Sequence, residues 1–224
     1  MTKKTYLGLR PKKALFGAAA SFAIIICGLA SSQAFYEIII SVFSIMTILY
    51  VVEGKWIGCA CGIIFCLVYA LAVSFTRQFY GLMVFQLFIC MPLYAVSLVN
   101  WKKNQNKNTV AVKRLKANRF ILVVVASAAA YCVLFATLQA VGSSNAVFDS
   151  LTVIFGMSGM TLMSLRYAEQ WYFHLASNLS AVVMWLIKSF ESIINLNFLI
   201  IALIFAASNI IGLVSWLKMG NNGE

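Results

Sequence analysis

Residues 169–185 read EQWYFHLASNLSAVVMW, and the fold follows from this stretch because it is an apolar helix with one polar face. At 3.6 residues per turn, four side chains at i, i+3, i+7 and i+14 share that face. They are Trp171, His174, Asn178 and Trp185. His174 is the only histidine of the chain. Polar groups inside a lipid-embedded helix are costly without a partner, so the stripe predicts a face that lines a cavity or another helix.

The composition excludes an ordinary soluble domain. The chain is 62% hydrophobic and 10% charged, with a mean hydropathy of +0.92. Soluble domains have about 25% charged residues and about 45–50% apolar ones. Because a helix crosses the hydrocarbon core in about 20 residues, a chain of 224 residues can cross several times. The composition therefore predicts an integral membrane protein.

Eight apolar runs predict an all-α membrane fold with eight transmembrane helices. They cover about 14–31, 34–52, 56–76, 80–101, 119–141, 147–165, 171–190 and 195–218. Unpaired backbone groups are not tolerated in lipid, and no run alternates like a barrel strand, so helices are expected. The basic residues before the first run resemble the start of a signal peptide. That run is long enough to span and a second follows at once, which predicts a retained helix.

The positions of lysine and arginine predict the orientation. With a cytoplasmic N-terminus and eight crossings, all 17 of them except Arg77 and Lys188 fall on the inner side. The strongly basic connection 102–118 is then an inner loop, and both termini are cytoplasmic. The net charge of +11 follows from this bias, with attraction to anionic lipid as a secondary effect. Basic and aromatic residues are not interleaved in the sequence, so no nucleic-acid partner is predicted.

The chain also contains an internal repeat. An offset of 115 residues aligns Trp56 with Trp171 and Trp101 with Trp216, and it matches three helices of each half. Since the offset is an even number of helices, the two triplets share one orientation, which makes a parallel repeat. The predicted organisation is a basic N-terminus and extra helix (1–33), a first three-helix repeat (34–101), a basic loop and linker helix (102–146), a second three-helix repeat (147–218) and a tail (219–224).

Polar stripes on three helices predict a substrate cavity between the repeats, near the midplane. The candidate substrate-binding residues are Trp171, His174, Asn178, Trp185, Gln86, Tyr94 and Asn209. Aromatic faces suit a planar ring, and a cationic ring adds a cation–π attraction of roughly 0.5–2 kcal/mol. Amides suit ribose hydroxyls or a carboxamide. The candidates include no lysine or arginine, which argues against a phosphorylated substrate.

Several of these residues have a purely structural interpretation. Trp56, Trp101 and Trp216 lie at predicted cytoplasmic helix ends, where tryptophan belts form without a ligand, and we favour the belt for these three. Gln86 and Asn209 are also suited to hydrogen bonds between transmembrane helices. Either role is compatible with the sequence.

No catalytic residue, metal site or cofactor is predicted. The six cysteines lie in apolar runs far from the histidine and are interpreted as packing residues. Glu37 and Asp149 sit within about a turn of the predicted outer surface, so no deep carboxylate indicates an ion site. Facilitated passage is therefore favoured over an ion-coupled carrier. An enzyme or a non-transporting scaffold is the alternative from another class, although an enzyme would require an acid–base or nucleophile–base pair.

The run Trp171-x-x-His174-x-x-x-Asn178-x-x-x-x-x-Met184-Trp185 resembles the W-x-x-W-x-x-x-N-x-x-x-x-x-L-W motif of the PnuC family of nicotinamide riboside transporters. The segment 212–216, GLVSW, is similar to the end of that family's last helix. The resemblance spans about residues 34–216. His174 stands where the motif has its second tryptophan, and Ser97 where a glycine is usual.

The resemblance implies a 3+1+3 core similar to that of the SWEET sugar transporters. It further implies a multi-pass homotrimer in the cell membrane that takes up nicotinamide riboside, or a closely related nucleoside-like vitamin, by facilitated diffusion. Relatives that carry thiamine, riboflavin or deoxynucleosides leave the substrate open. Carried over position by position, Trp171, Asn178 and Trp185 keep the motif's roles. The choice of substrate is then expected to depend on His174.

Overall fold

The computed structural model describes residues 11–30, 35–74, 85–106, 109–140, 142, 146–191 and 196–221. Within these ranges the chain forms eight helices. They are α1 (Pro11–Ala30), α2 (Phe35–Val52), α3 (Ile57–Val68, extended by the π-helical Tyr69–Ser74), α4 (the π-helical Gln86–Cys90 continued by Met91–Lys103), α5 (Ala117–Ala140), α6 (Ala146–Ser164), α7 (Gln170–Glu191) and α8 (Leu196–Asn221). Each corresponds to one of the eight predicted runs. The basic segment 1–10 lies outside the described residues.

The π-helical turns were not predicted. In α4 the change from π- to α-helix occurs at Met91, directly before Pro92. Proline has no backbone N–H to donate, so the hydrogen-bond ladder is locally interrupted there. The turn also changes the direction in which the preceding side chains, including Gln86, leave the helix axis.

Three of the described helices are long and apolar enough to cross a membrane by length and composition, namely Ala117–Ala140, Ala146–Ser164 and Leu199–Met219. The first of these, α5, is apolar around most of its circumference. Leu122 and Val133 are 67% and 69% exposed, and Ser127 is its buried residue. A helix with apolar side chains facing outward is what a lipid environment requires.

The helices pack as two groups of three that are in contact with each other. In one group α2 lies against α3 and α3 against α4; in the other α6 lies against α7 and α7 against α8. The groups meet where α2 packs on α8 and where α4 packs on α6. The helix α1 lies against α2 and α8, and α5 lies against α6, where the hydroxyls of Ser127 and Ser158 are 2.8 Å apart.

The basic connection 102–118 folds against the rest of the protein. Two short antiparallel strands, β1 (Gln105–Asn106) and β2 (Thr109–Val110), pair within this segment, which was predicted only as an inner loop. At the end of β2, the Val110 N–H donates to the carbonyl of Gly54 at 2.8 Å. Farther on, the Lys113 N–H donates to the carbonyl of Arg166 at 2.8 Å. The loop thus contacts both the turn after α2 and the turn before α7.

Charged side chains support the same loop. Glu169 is buried and accepts hydrogen bonds from Nε of Arg114 at 2.9 Å and from the Leu115 N–H at 3.1 Å. Arg166 is also buried, and this burial lowers the pKa of its guanidinium. Its Nη1 donates to the carbonyl of Ala111 at 3.3 Å. These contacts attach the loop to the second group of helices more extensively than to the first.

Candidate functional site

Three tryptophans form a buried cluster where α4, α7 and α8 converge. The rings of Trp101 and Trp216 have centroids 5.2 Å apart, and those of Trp171 and Trp216 are 6.0 Å apart in an edge-to-face arrangement. All three side chains are 0% exposed. Such ring pairs are the arrangement that the aromatic quadrupole favours. We call Trp101, Trp171 and Trp216 the tryptophan cluster.

Two indoles of the cluster bind across the two helix groups. Nε1 of Trp101 donates to the carbonyl of Met163 on α6 at 2.9 Å. Nε1 of Trp216 donates to the carbonyl of Val51 on α2 at 3.1 Å. The belt interpretation of Trp101 and Trp216 is therefore wrong, because belt side chains lie at the lipid–water boundary and these are enclosed by protein. Trp56 is half-buried, with Nζ of Lys102 5.4 Å from its ring centroid.

His174 lies next to the cluster, one turn along α7 from Trp171, and the two rings are 6.0 Å apart edge to face. The backbone carbonyl of His174 accepts two side-chain amides. Nδ2 of Asn178 donates to it at 2.9 Å, and Nδ2 of Asn209, from α8, donates at 3.1 Å. Each amide thus uses one of its two N–H donors within the protein, which fixes its orientation and leaves its oxygen available as an acceptor.

Several buried polar atoms at this centre have no hydrogen-bond partner among the described residues. They include Oδ1 of Asn209, whose side chain is fully buried, and Nε1 of Trp171. A buried polar atom without a partner costs about 1–3 kcal/mol, so a ligand that supplies one recovers that energy. An acceptor on Asn209 and a donor on Trp171 suit a ligand that carries both hydroxyl and carbonyl groups.

Tyr94 reaches the same centre from α4. It packs against the buried core that contains the tryptophan cluster, and also against the smaller core formed by Cys66, Cys90 and Met160. Gln86 lies two turns earlier on α4, and its Oε1 is likewise buried without a partner among the described residues. It is about 12 Å from Tyr94 along the helix at 1.5 Å per residue.

The structure thus brings five of the predicted site residues to one centre: Trp171, His174, Asn178, Asn209 and Tyr94. Gln86 lies farther along α4. Trp185 is half-buried and about 21 Å along α7 from Trp171, which is too far for both rings to contact one small ligand. The four residues of the predicted stripe lie on one continuous helix, but only its first half adjoins the tryptophan cluster.

Gln170 is a further candidate that was not predicted from the sequence. It is fully buried directly before Trp171, and both of its amide atoms lack partners among the described residues. It lies at the first position of α7, where polar residues are ordinary, so only its burial distinguishes it. The described residues contain no group of three or more His, Cys, Asp or Glu side chains placed to hold a metal ion.

Taken together, the fold and the site define a multi-pass helical membrane protein with an aromatic and amide-lined centre between two groups of helices. Residues 34–218 match the model of the family described as the nicotinamide mononucleotide transporter. The chain belongs to this family, whose members are membrane transporters and not enzymes.

Two curated relatives are each named nicotinamide riboside transporter PnuC. The protein from Neisseria mucosa is 27% identical over 186 residues, which cover 80% of this chain and 70% of the relative. The protein from Haemophilus influenzae is 26% identical over 182 residues, which cover 80% of each chain. The similarity to both relatives thus extends over most of this sequence.

The fold is also similar to a solved structure, the crystal structure of the vitamin B3 transporter PnuC. The TM-score is 0.81 at 24% sequence identity, and the match covers 98% of this chain and 96% of that chain. The likeness confirms the predicted all-helical fold class.

Proposed function

We propose that this protein carries nicotinamide riboside, or a closely related nucleoside-like vitamin, across the cell membrane by facilitated diffusion. The curated relatives bear the name of nicotinamide riboside transporters, and the family match extends over residues 34–218. The observation that carries the proposal is the junction of α7 and α8, where Trp171 and His174 stand beside the unpaired oxygen of Asn209.

The chemistry of this centre suits a nucleoside. The faces of Trp171, His174 and Tyr94 offer contacts to a flat pyridine ring, and a cationic ring gains roughly 0.5–2 kcal/mol from each well-placed aromatic face. The oxygens of Asn178 and Asn209 are acceptors for ribose hydroxyls or a carboxamide N–H. Gln86 and Trp185 complete the proposed set of substrate-binding residues and are assigned to the approach to this centre.

The family name refers to the mononucleotide, whereas the relatives are named for the riboside. We favour the riboside here because the proposed site residues carry indole, imidazole, phenol and amide groups. A phosphate requires charge-assisted hydrogen bonds from arginine or lysine for tight binding. Nicotinamide mononucleotide is therefore expected to bind more weakly than the riboside.

We further propose that the core is a parallel 3+1+3 repeat, as in SWEET transporters, with the domain boundaries inferred from the sequence and eight crossings. The 115-residue offset relates α2 to α6 and α4 to α8. In support of the repeat, α2 packs on α8, and the related pair α6 and α4 also pack on each other. The indole bonds of Trp101 and Trp216, which the 115-residue offset relates, also cross between the groups in both directions.

The proposed orientation has both termini in the cytoplasm, which follows from the positions of lysine and arginine. We propose a homotrimer embedded in lipid as the assembly, on the family resemblance. Light scattering of the detergent-purified protein measures its mass directly. A monomeric mass in several detergents would contradict the trimer.

Passage without ion coupling is supported by the positions of the acidic residues. Glu53 and Glu169 lie in turns between helices, and Asp149 lies in the first turn of α6. The side chain of Glu37 lies outside the described residues. Transport of thiamine or deoxynucleosides is the second candidate, because His174 replaces a motif tryptophan and changes the ring that faces the ligand. An ion-coupled carrier or a scaffold is less well supported.

Calorimetric titration of the purified protein with nicotinamide riboside, its mononucleotide, thiamine and deoxynucleosides tests the proposal. We expect the riboside to bind most tightly and Asn178→Ala to weaken it about ten-fold, the cost of one buried polar contact of about 1.4 kcal/mol. Ser180→Ala is the matched control, because its hydroxyl also bonds a carbonyl of its own helix, that of Ala176. Binding of none of these compounds by the wild type would refute a transporter for this ligand class.

The same titrations separate the two candidates. His174→Trp restores the motif residue and is expected to raise affinity for nicotinamide riboside relative to thiamine. If the variant lowers riboside affinity while wild-type protein prefers thiamine, the second candidate is correct. Uptake into proteoliposomes with and without a sodium or proton gradient distinguishes facilitated diffusion from coupled transport.

A further inference from the structure

Three rings of the proposed site lie directly against glycines. A Cβ atom built on each glycine would stand 2.5–2.8 Å from the ring, and real Cβ atoms essentially never approach another atom within 3.0 Å. We call these the three glycine–ring pairs. They are Gly62 with Tyr94, Gly159 with His174, and Gly212 with Trp171.

The 115-residue offset relates every one of these glycines to a serine. Gly62 corresponds to Ser177, Gly159 to Ser44, and Gly212 to Ser97. Each serine keeps its Cβ and donates its hydroxyl to a backbone carbonyl, at 2.8, 2.7 and 2.6 Å respectively. The space that a ring fills in one half of the protein is therefore filled by a serine side chain in the other half.

The residues that the 115-residue offset relates to the three rings are smaller or less buried than the rings. Tyr94 corresponds to Asn209 and His174 to Cys59, both smaller. Trp171 corresponds to Trp56, which is half-buried next to Lys102 instead of fully buried like Trp171. In each of the three pairs, the buried ring therefore faces a glycine, whereas the related position opposite the smaller or less buried side chain is a serine.

The physical consequence concerns the position of each ring. With a methyl group at Gly159, the imidazole of His174 must move by at least several tenths of an ångström, because its Cε1 and Nδ1 would both lie 2.8 Å away. Binding constellations lose function when contact groups shift by about 0.5–1 Å. Because the interior is closely packed, such a displacement changes where the ring lies relative to a ligand bound at this centre.

We propose that Gly62, Gly159 and Gly212 are specificity-determining residues that position Tyr94, His174 and Trp171 for a flat heteroaromatic ring attached to a sugar. They do not contact the ligand themselves. They set how far each ring projects into the site and hence the thickness and shape of the ring that fits. This proposal rests on the proposed function, because the three rings are binding groups only if the site is the one assigned above.

The test is a double-mutant cycle in the purified full-length protein, with dissociation constants measured calorimetrically for nicotinamide riboside and thiamine. Gly159→Ala is expected to weaken binding of the preferred ligand by about ten-fold or more and to change the ratio between the two ligands. In a His174→Ala background the same substitution is expected to change affinity by less than about two-fold, since no ring remains to be displaced.

Gly156→Ala is the matched control. It lies one turn away on the same helix, and its Cβ would meet only Oγ of Ser177, at the ordinary contact distance of 3.4 Å. Gly156→Ala is expected to leave the affinities for nicotinamide riboside and thiamine unchanged. The melting temperature of the protein should also stay the same. Proteoliposome uptake should show that Gly159→Ala raises KM more than it lowers the maximal rate, which a general folding defect would not do.

The outcomes separate the two levels of inference. Wild-type protein that binds no member of the ligand class overturns the proposed function together with this proposal. Wild-type binding combined with an equal effect of Gly159→Ala in both backgrounds overturns only the glycine proposal, because the glycine then acts through helix packing. If Gly159→Ala is not monodisperse, or His174→Ala does not bind, the cycle is run with Gly62→Ala and Tyr94→Leu, and absence of coupling there overturns the proposal.

Discussion

Replacing Trp216 by phenylalanine tests whether the tryptophan cluster joins the two groups of helices. The substitution removes the indole N–H that donates to the carbonyl of Val51 at 3.1 Å, a bond worth about 0.6–1.7 kcal/mol between helices in a membrane. It also shortens the ring that contacts Trp101 and Trp171, and each aromatic pair contributes about 0.5–1.5 kcal/mol. We therefore expect a loss of about 3 kcal/mol, which corresponds to a melting temperature lowered by about 6–12 °C.

The assay is thermal unfolding in detergent, followed by size-exclusion chromatography of the heated samples. Trp56→Phe is the matched control, since Trp56 is half-buried and stacks on the exposed Lys102, a contact worth about 0.5–1 kcal/mol. Equal melting temperatures for the two variants would refute the argument, because they would mean that the buried cross-group indole contributes no more than a peripheral one.

Two further predictions concern the loop 102–118 and left-handed glycines. Gly54→Ala is expected to lower the melting temperature more than Gly142→Ala. Both glycines have a positive φ, which costs a residue with a Cβ about 1–2 kcal/mol of stability. Only at Gly54 would the Cβ also press on Val110, at 3.2 Å. Equal shifts would show that Val110 yields freely. Glu169→Ala removes the buried acceptor of Arg114, so trypsin should cleave after Arg114 about ten-fold faster, and an unchanged cleavage rate would show that the loop is held elsewhere.

The order of the helices was predictable because lipid imposes a simple rule on the sequence. Each crossing must satisfy its backbone hydrogen bonds internally and present apolar side chains, so long apolar runs read directly as helices. The fold of the loop 102–118 was not predictable in this way. Its place depends on the backbone of Gly54 and Arg166, which lie some fifty residues away on either side, and no local pattern encodes those contacts.

The site was partly predictable for the same reason that its helix was. Trp171, His174 and Asn178 lie on one helix, where spacing alone determines that they share a face. The convergence of Asn209 and Tyr94 on that face was only a hypothesis until the packing of α4, α7 and α8 was known. The misassigned pair, Trp101 and Trp216, shows the limit: a tryptophan at a helix end suits a lipid boundary and a buried cluster equally well.

The sequence by itself determined the membrane class, the eight helices and the motif on α7 that marks the family. Only the tertiary structure decided which face of each helix meets protein and which meets lipid. The physical reason is that lipid tails are as apolar as a leucine side chain, so hydrophobicity does not distinguish the two environments. Close contacts such as that between Gly159 and the ring of His174 therefore became visible only in three dimensions.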